Sequence, residues 1–348
     1  MLLQFTKLLL LLIAAYFMSA CAKEEKQRLP VSKAQPHMGT YFTITSYDLD
    51  PPEEYVSAVI DSAFMLIAEI EQEISSYNDE SITSQINSQS DVERTVSLPG
   101  HAHTILESSL KISESTSGAF DVTLWPVFKL WDFEGRLPDP PDETELSKAL
   151  SNVDYRKLSL SGNNLTIARG QEIDFGGVSK GYAVESVRIF MKMRGLKNFL
   201  IDASGNLGIE WNRSDSIEVT TRHPRTDARF WGSFKINRSC GIATSGDYHF
   251  YFMKNRVRFH HIINPETGMP AQPMVSSTVI AKDAMAADGL STAVFVMGPQ
   301  KGMEFIESRN DLEGILIHTD NNDNLEEFVS SGIKSIYQRI PDATSPAQ

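Results

Sequence analysis

Four short segments of the sequence place polar side chains where a simple hydrophobic core would not need them. The first, EIDFGGVSKGYAVESV (residues 172–187), runs from an apolar stretch ending at Asp174 through Gly176 and Gly177 to Lys180. A strand before the glycines and a helix after them would expose backbone amides that attract phosphate, and Lys180 would strengthen that attraction. The segment lacks the spacing of a P-loop, and a purely structural strand–helix turn is the alternative.

A second group of polar residues lies on one face of an expected helix. In AKDAMAADGLSTAVFVMG (residues 281–298), Asp288, Ser291 and Thr292 stand at positions i, i+3 and i+4 among apolar residues. Residues with this spacing share a helix face. One carboxylate with two hydroxyls is an all-oxygen set that suits Mg²⁺ and not zinc. The alternative is that the hydroxyls bond back to the preceding turn and Asp288 pairs with a lysine.

The other two segments combine aromatic with polar residues. SGAFDVTLWPVFKLWDF (residues 117–133) places Asp121 among aromatic side chains. This pattern indicates either a hydrophobic patch that packs a sheet or a slot for a planar ring with Asp121 at its polar edge. RFHHIINPETGMP (residues 258–270) places His260 and His261 before a sharp turn. Two histidines in this context are compatible with a site and with a structural role.

The composition and the N-terminus indicate the compartment. The chain has 348 residues and a formal net charge of −13, which argues against non-specific nucleic-acid binding. After Lys7 comes an apolar run too short for a membrane span, and then Ser19 and Ala20 lead to Cys21. Residues 1–20 are therefore predicted to be a lipoprotein signal peptide. An ordinary signal peptide cleaved near Ala20 is the alternative.

Cys21 is expected to be the lipidated first residue of the mature chain, because the residues before it resemble a bacterial lipobox. Residues 21–36 are predicted to be a polar tether, and residues 37–340 to be one folded domain. Cys240 is the only other cysteine, so a lipidated Cys21 leaves no pair for an intramolecular disulfide.

The apolar periodicity predicts an α+β fold with mixed sheets, hairpins and packed helices. Residues 53–75 form the clearest predicted helix, because their apolar residues recur at helical spacing. A second helix is predicted at residues 101–117 with its end at Gly118, and Asp142 with Glu145 predicts a capping box. Further predictions are a hairpin around Gly162, strands at 40–47, 172–175, 198–202, 216–221, 231–237 and 275–281, and helices at 180–194 and 283–297.

Taken together, these segments resemble the ApbE family of FAD:protein FMN transferases. The matching stretches follow one another over roughly residues 37–300, and several are long. They are HMGTYFTITSY, EISSYNDESITSQIN, SGAFDVTLWPVFKLW, EIDFGGVSKGYAVE, ATSGDYHFYF, HHIINPETGMP and AADGLSTAVFVMG. The resemblance implies an ApbE-like fold.

The resemblance also implies a reaction in which FAD is split at its pyrophosphate. FMN is attached to a serine or threonine hydroxyl of a partner protein, and AMP leaves. His261 matches the family histidine associated with catalysis, and Mg²⁺ would be held by the backbone carbonyl of Gly177 with Asp288, Ser291 and Thr292. The positions that would contact FAD are Met38, Tyr77, Ala119, Phe120, Asp121, Asp174, Lys180 and Ile262.

By the same resemblance, the acceptor is expected to be a subunit of a Na⁺-pumping NADH:quinone reductase or of an Rnf-type complex. The protein is expected in the bacterial cell envelope, lipid-anchored to the inner membrane and facing the periplasm. Two other functions would use the same residues: an FAD pyrophosphatase that gives FMN and AMP, and a non-catalytic flavin-binding lipoprotein. A serine hydrolase based on Ser245 is disfavoured, because no Gly-x-Ser-x-Gly segment surrounds it.

Overall fold

The computed structural model describes residues 29–133, 135, 139–226 and 229–341. The chain separates into two units, Met1–Pro30 and Val31–Gln348, and the helices and strands below belong to the second. The predicted signal peptide and the lipidation site at Cys21 lie outside the described residues. Within the described part of the chain, no helix is both long enough and apolar enough to span a membrane.

The helices of the described residues are α1 (Glu53–Ile74), α2 (Ile82–Asn87), α3 (Gly100–Ser115), α4 (Trp125–Trp131), α5 (Glu143–Leu150), α6 (Ser179–Met193), α7 (Ala284–Met297) and α8 (Pro299–Glu307). The strands are β1 (Val31–His37), β2 (Thr40–Ser46), β3 (Arg94–Ser97), β4 (Ser159–Ser161), β5 (Asn164–Ile167), β6 (Phe199–Ala203), β7 (Asn206–Glu210), β8 (Ile217–Arg222), β9 (Phe230–Ile236), β10 (Cys240–Gly246), β11 (Tyr251–Lys254), β12 (Val257–His260), β13 (Met274–Ala281), β14 (Glu313–Thr319), β15 (Leu325–Val329) and β16 (Gln338–Arg339).

The centre of the fold is an eight-stranded antiparallel sheet with the strand order β1-β2-β6-β7-β10-β13-β14-β15. Every residue of β13 is buried, because both faces of the sheet are covered. Val279 belongs to the main core cluster with α1, α6 and α7, whereas the next residue, Ile280, belongs to a second cluster with β8 and β9. Successive side chains of a strand point to opposite faces, so the sheet is an inner layer.

Helix α1 packs through the apolar stripe that the sequence predicts. The helix ends at Ile74, one residue before the predicted end. Burial of such a stripe gives a helix most of its stability in a folded protein. Its buried residues are Val56, Val59, Ile60, Ala63, Phe64, Ile67, Ile70 and Ile74.

The predicted α+β class is confirmed, and most local predictions hold. Gly118 adopts a left-handed φ of +83° and its N–H donates to the Ser113 carbonyl at 2.8 Å, which closes α3. Asp142 accepts the N–H of Thr144 at 2.8 Å and caps α5. The strands β4 and β5 form the predicted hairpin. The strands predicted at 40–47, 198–202, 216–221, 231–237 and 275–281 correspond to β2, β6, β8, β9 and β13, and the helices predicted at 180–194 and 283–297 to α6 and α7.

The predicted strand at residues 172–175 is wrong. The Asn87 side chain holds the Ile173 backbone on both sides, accepting from its N–H and donating to its carbonyl, each at 2.8 Å. The N–H of Asp174 donates to the Val122 carbonyl at 2.8 Å. These partners satisfy the extended backbone, so no neighbouring strand is needed there.

The predicted boundary of the tether at residue 36 is also wrong. Residues 31–36 belong to β1, which pairs with β2 from Val31 opposite Ser46 to His37 opposite Thr40. This strand lies at the edge of the sheet, where polar residues and Pro36 are tolerated because one side of the strand needs no partner.

Candidate active site

The turn before α6 brings the predicted residues Asp174 and Lys180 together. The Asp174 carboxylate accepts from the Ser76 hydroxyl at 2.5 Å and from the Gly176 N–H at 2.8 Å. Burial raises the pKa of Asp174 above its ordinary value, although these hydrogen bonds and the charge of Lys180 oppose the rise. Lys180 is therefore within electrostatic range of this carboxylate.

Gly177 lies between a residue predicted to hold FAD and a residue predicted to hold the metal. A Cβ at Gly177 would lie 3.0 Å from the Phe120 ring and 3.8 Å from the Thr292 hydroxyl oxygen. A side chain at this position would therefore press against the Phe120 ring. The close approach favours glycine here, and the backbone of Gly177 lies near Thr292.

Asp288 on α7 faces the same turn. Its side chain is buried, and its Oδ2 atom accepts from the Gly181 N–H at 2.8 Å. Burial raises the pKa of Asp288, and the charge of Lys180 with hydrogen bonds from Gly181 and Asn206 opposes the rise. A buried carboxylate of this kind is stabilised in its ionised form by a nearby cation.

The hydroxyls beside Asp288 form a small cluster. The Ser291 hydroxyl donates to the Asp288 carbonyl at 2.8 Å, as in the alternative in which it bonds back to the preceding turn. The Ser245 hydroxyl lies 2.8 Å from the Ser291 hydroxyl and 3.2 Å from the Thr292 hydroxyl. On the same helix face, the Thr292 hydroxyl also lies near Gly177.

The donor set fits Mg²⁺ better than a transition metal. Among the described residues there is no group of three or more His, Cys, Asp and Glu side chains that could hold a metal ion. Magnesium commonly uses one or two carboxylates and completes its shell with substrate phosphates and water. Asp288 with the neutral oxygens of Thr292 and Gly177 meets this requirement.

His261 lies at the end of β12. Its backbone N–H donates to the Phe250 carbonyl at 3.0 Å, and the Phe250 ring meets the imidazole edge-on with ring centroids 5.6 Å apart. Its Nδ1 atom is buried and has no hydrogen-bond partner among the described residues. Burial, together with the charges of His260, His249 and Lys180, lowers the pKa of His261 to about 3. The ring is therefore neutral at physiological pH and can accept a proton.

The neighbouring His260 has a structural role. Its side chain is fully buried, its Nε2 lies 2.9 Å from the Ala271 carbonyl, and its ring packs edge-on against Phe295. Its Nδ1 accepts from the N–H of Ile262 at 3.3 Å. The structure thus gives the two histidines different environments, a distinction that the sequence pattern alone does not make.

The residues predicted to contact the flavin have varied environments. Tyr77 is 72% exposed and meets Trp125 edge-on at 5.7 Å, so an aromatic surface is open there. Met38 has a left-handed φ of +48°, and its N–H donates to Glu71 at 2.8 Å. The predicted contacts Phe120 and Ile262 are buried in the main core cluster, and Ala119 packs against it.

Asp121 is engaged within the protein. Its carboxylate accepts from the Thr123 N–H at 2.8 Å, from the Thr123 hydroxyl at 2.6 Å and from the Tyr155 N–H at 3.0 Å. Burial raises the pKa of Asp121, and these bonds oppose the rise. The carboxylate therefore fixes the loop that carries Ala119 and Phe120.

Sequence reasoning missed the residues that orient the site. Ser76 bonds Asp174, and Asn206 lies close enough to Asp288 to lower its pKa. Ser245, considered from the sequence only as a disfavoured hydrolase nucleophile, instead links two hydroxyls of α7. Ser76 directly precedes Tyr77 in a segment already singled out, which was the available signal. Nothing in the sequence around Asn206 identifies it, because its proximity to Asp288 depends on the pairing of distant segments.

The fold and site define a class of protein. A buried carboxylate, neutral oxygens, a lysine and a neutral histidine around a glycine turn are suited to the transfer of a phosphate-linked group. The sequence profile of the ApbE family matches residues 38–316, and the chain belongs to that family.

Individual relatives agree with this assignment. The chain is similar to the FAD:protein FMN transferase of Vibrio cholerae, with 29% identity over 332 residues that cover 94% of this chain and 97% of the relative. The enzyme of the same name from Haemophilus influenzae is 28% identical over 323 residues, which cover 88% of this chain and 91% of the relative.

Solved structures show the same fold. The ApbE protein of Thermotoga maritima superposes with a TM-score of 0.78 at 26% identity, over 88% of this chain and 99% of that one. The flavin transferase ApbE of Vibrio cholerae superposes with a TM-score of 0.76 at 27% identity, over the same shares of the two chains.

Proposed function

We propose that this chain is a Mg²⁺-dependent FAD:protein FMN transferase, which attaches FMN to a serine or threonine of an acceptor protein and releases AMP. The observation that carries the proposal is the convergence of Lys180, Asp288 and His261. Lys180 lies close enough to both the Asp288 carboxylate and the His261 ring for its charge to lower the pKa of each. The names of the family relatives supply the substrate and the acceptor class.

The proposed reaction exchanges the phosphoanhydride bond of FAD for a phosphoester bond to the acceptor. The acceptor hydroxyl oxygen forms a bond to the phosphorus on the riboflavin side of FAD. The bond from that phosphorus to the bridging oxygen breaks, and AMP leaves with that oxygen and the electron pair. The hydroxyl proton passes to the neutral His261. Because His261 is a weak base, its proton transfer accompanies formation of the new bond.

The remaining residues bind and orient. Lys180 would hold pyrophosphate oxygens at the start of α6. Gly177, Asp288, Ser291 and Thr292 would hold Mg²⁺, which when bound supplies positive charge that stabilises the departing phosphate. The flavin and the rest of FAD would be held by Met38, Tyr77, Ala119, Phe120, Asp121, Asp174 and Ile262.

One experiment separates this function from its alternatives. The protein is incubated with FAD and Mg²⁺, with and without a candidate acceptor subunit of a Na⁺-pumping NADH:quinone reductase or an Rnf-type complex. Mass spectrometry of the acceptor should show the addition of FMN, together with AMP in the solution. FMN and AMP without labelled acceptor would indicate an FAD pyrophosphatase, and bound but intact FAD would indicate a non-catalytic flavin-binding protein.

The proposal includes a location. Lipidation of Cys21 would anchor the protein to the inner membrane with the domain facing the periplasm, where the acceptor subunits would be reached. The order Ser19-Ala20-Cys21 after a short apolar run supports this location.

A further inference from the structure

Two serines of the central sheet face helix α7 at positions next to apolar ones. Ser245 of β10 and Ser277 of β13 are paired in the strand register, so their side chains lie on the same face of the sheet. Two residues back along β10 and two further along β13, Ala243 and Val279 on that face belong to the main core cluster. A polar side chain beside such a core is costly unless it is hydrogen-bonded, so the partners of the two serines explain their presence.

The two serines contact different parts of α7. The Ser277 hydroxyl donates to the backbone carbonyl of Ser291 at 2.6 Å, which fastens the helix to the sheet. The Ser245 hydroxyl instead lies 2.8 Å from the Ser291 hydroxyl and 3.2 Å from the Thr292 hydroxyl. Ser245 therefore contacts the hydroxyls proposed for the metal, whereas Ser277 contacts the helix backbone.

The directions of the hydrogen bonds around Ser245 follow from the number of protons. Each hydroxyl has one proton to donate and two lone pairs with which it can accept. The Ser291 hydroxyl gives its proton to the Asp288 carbonyl at 2.8 Å, since a carbonyl can only accept. Ser245 therefore donates its own proton to the Ser291 oxygen, and the Ser245 oxygen accepts the proton of Thr292.

This order of donors determines what the Thr292 oxygen can do. A neutral hydroxyl binds a metal ion through a lone pair, so its proton must point away from the ion. The Thr292 proton is directed to Ser245, and the lone pairs of the oxygen stay available to a cation. The same oxygen lies near the backbone of Gly177, which is the other neutral group proposed for the metal.

We propose that Ser245 is a positioning residue for the Mg²⁺ site, because it accepts the proton of Thr292 and so leaves the lone pairs of that hydroxyl for the metal ion. This inference rests on the proposed Mg²⁺ site at Asp288 and Thr292, and it adds a residue that acts on the ion through a ligand. Without the Ser245 hydroxyl, the Thr292 proton has lost its acceptor and the hydroxyl can rotate. Orienting it again would weaken the binding of the ion.

Binding of Mn²⁺ measures this effect without the reaction. Mn²⁺ replaces Mg²⁺ as the probe because it uses the same oxygen ligands, and EPR follows the free ion during titration into the full-length protein. We expect Ser245→Ala to raise the Mn²⁺ dissociation constant about 3–10-fold, which corresponds to the loss of one hydrogen bond. The Mg²⁺ concentration for half-maximal FMN attachment should rise by a similar factor, while kcat at saturating Mg²⁺ and the FAD affinity without Mg²⁺ stay close to wild type.

Ser277→Ala is the matched control. It removes a hydroxyl directly across the strand pair from Ser245 but leaves the hydroxyls of α7 with their partners. Its melting temperature should fall at least as much as that of Ser245→Ala, because Ser277 is fully buried and the Ser291 carbonyl loses its donor. Its Mn²⁺ dissociation constant should equal that of the wild type. Equal weakening of Mn²⁺ binding in both variants would indicate a general loosening of α7 and would overturn the inference.

A double-mutant cycle tests whether Ser245 acts through Thr292. Thr292→Val removes the hydroxyl and keeps a branched side chain of similar size. In that background, Ser245→Ala should change the Mn²⁺ dissociation constant by less than about twofold, because the contact it removes is already lost. A further increase of about 3–10-fold would mean that Ser245 reaches the ion by another route, and the positioning role would be wrong.

Asp288→Asn separates this inference from the metal site on which it rests. If Asp288→Asn loses Mn²⁺ binding while Ser245→Ala binds the ion as the wild type does, only the positioning role is overturned. If Asp288→Asn binds Mn²⁺ normally, the proposed metal site and the role of Ser245 are overturned together. The Mn²⁺ titration needs no acceptor, so a failure of the transferase function would appear separately, as an acceptor that carries no FMN.

Discussion

The Oδ2 atom of Asp288 accepts a hydrogen bond of 2.8 Å from the backbone N–H of Gly181. This bond joins α7 to the first turn of α6. A Cβ at Gly181 would lie 2.4 Å from the Cβ of Asp288, so no side chain fits between the helices. The carboxylate proposed for the metal therefore also holds two helices together, and substitutions can separate the two roles.

The first prediction compares Asp288→Asn with Asp288→Ala. Both should lose most Mg²⁺-dependent activity, because Mg²⁺ at this site depends on a carboxylate. The asparagine oxygen can still accept from Gly181, so its melting temperature should change little. The alanine variant leaves that N–H buried without an acceptor and should lose about 1–3 kcal/mol of unfolding free energy. Wild-type activity of either variant at limiting Mg²⁺ would rule out the metal assignment.

The second prediction separates chemistry from binding at His261 and Lys180. His261→Ala should lower turnover by about 10²–10⁴-fold with nearly unchanged FAD affinity, because a base acts mainly in the transition state. Lys180→Ala should raise the FAD dissociation constant, since a phosphate contact exists before the reaction. Flavin fluorescence titration gives affinity, and the rate of FMN attachment gives turnover. Proportional loss of both in His261→Ala would make His261 a flavin contact and not the base.

The third prediction uses the adjacent histidine as a matched control. His260→Ala removes a buried ring that contacts the Ala271 carbonyl and Phe295. It should lower the melting temperature more than His261→Ala does, because it leaves a cavity in the core. Circular dichroism melts of the two variants measure this difference. A larger loss of stability in His261→Ala would reverse the roles assigned to the two histidines.

The fourth prediction concerns pH. Burial lowers the pKa of His261 from its ordinary 6.5 to about 3, so the reactive neutral ring persists until the pH approaches that value. His261 should therefore produce no inflection in kcat near pH 6.5. The unfolded chain takes up this proton below about pH 6.5 whereas the folded chain resists it, so stability falls as the pH decreases. The melting temperature of His261→Gln should fall less between about pH 6.5 and 4 than that of the wild type. A steeper loss in the variant would contradict the lowered pKa.

The fifth prediction tests the lipid anchor. Cys21→Ser should move the protein from the membrane to the soluble periplasmic fraction, because a serine cannot carry the thioether-linked lipid. Cell fractionation and mass spectrometry of the mature N-terminus provide the measurement. Membrane retention of the wild type with an unmodified Cys21 would contradict the anchor.

Local patterns in the sequence predict the fold well where burial has a simple period. The stripe of α1 and the apolar run of β13 are examples, because one packs a single helix face and the other is covered on both faces. The strand predicted at residues 172–175 fails for a different reason. Its backbone partners are Val122 and the Asn87 side chain, and nothing in the local sequence identifies them.

The candidate site is predictable in its residue types but not in its connections. The i, i+3, i+4 spacing of Asp288, Ser291 and Thr292 predicts a shared face, and all three lie on α7. The spacing does not reveal that Ser291 bonds back to the Asp288 carbonyl and to Ser245. Nor does it reveal that Asn206 lies close enough to Asp288 to lower its pKa, since this proximity depends on strand pairing.

The contacts that orient this site join residues far apart in the chain. Ser76 and Asp174 are 98 residues apart, and Gly181 and Asp288 are 107 residues apart. Contacts with such long sequence separation form slowly, because large loops must close before they are made. In a refolding experiment, helical content would recover before the ability to transfer flavin. A chain still being folded would therefore leave FAD intact, and catalytic competence would report completion of the whole domain.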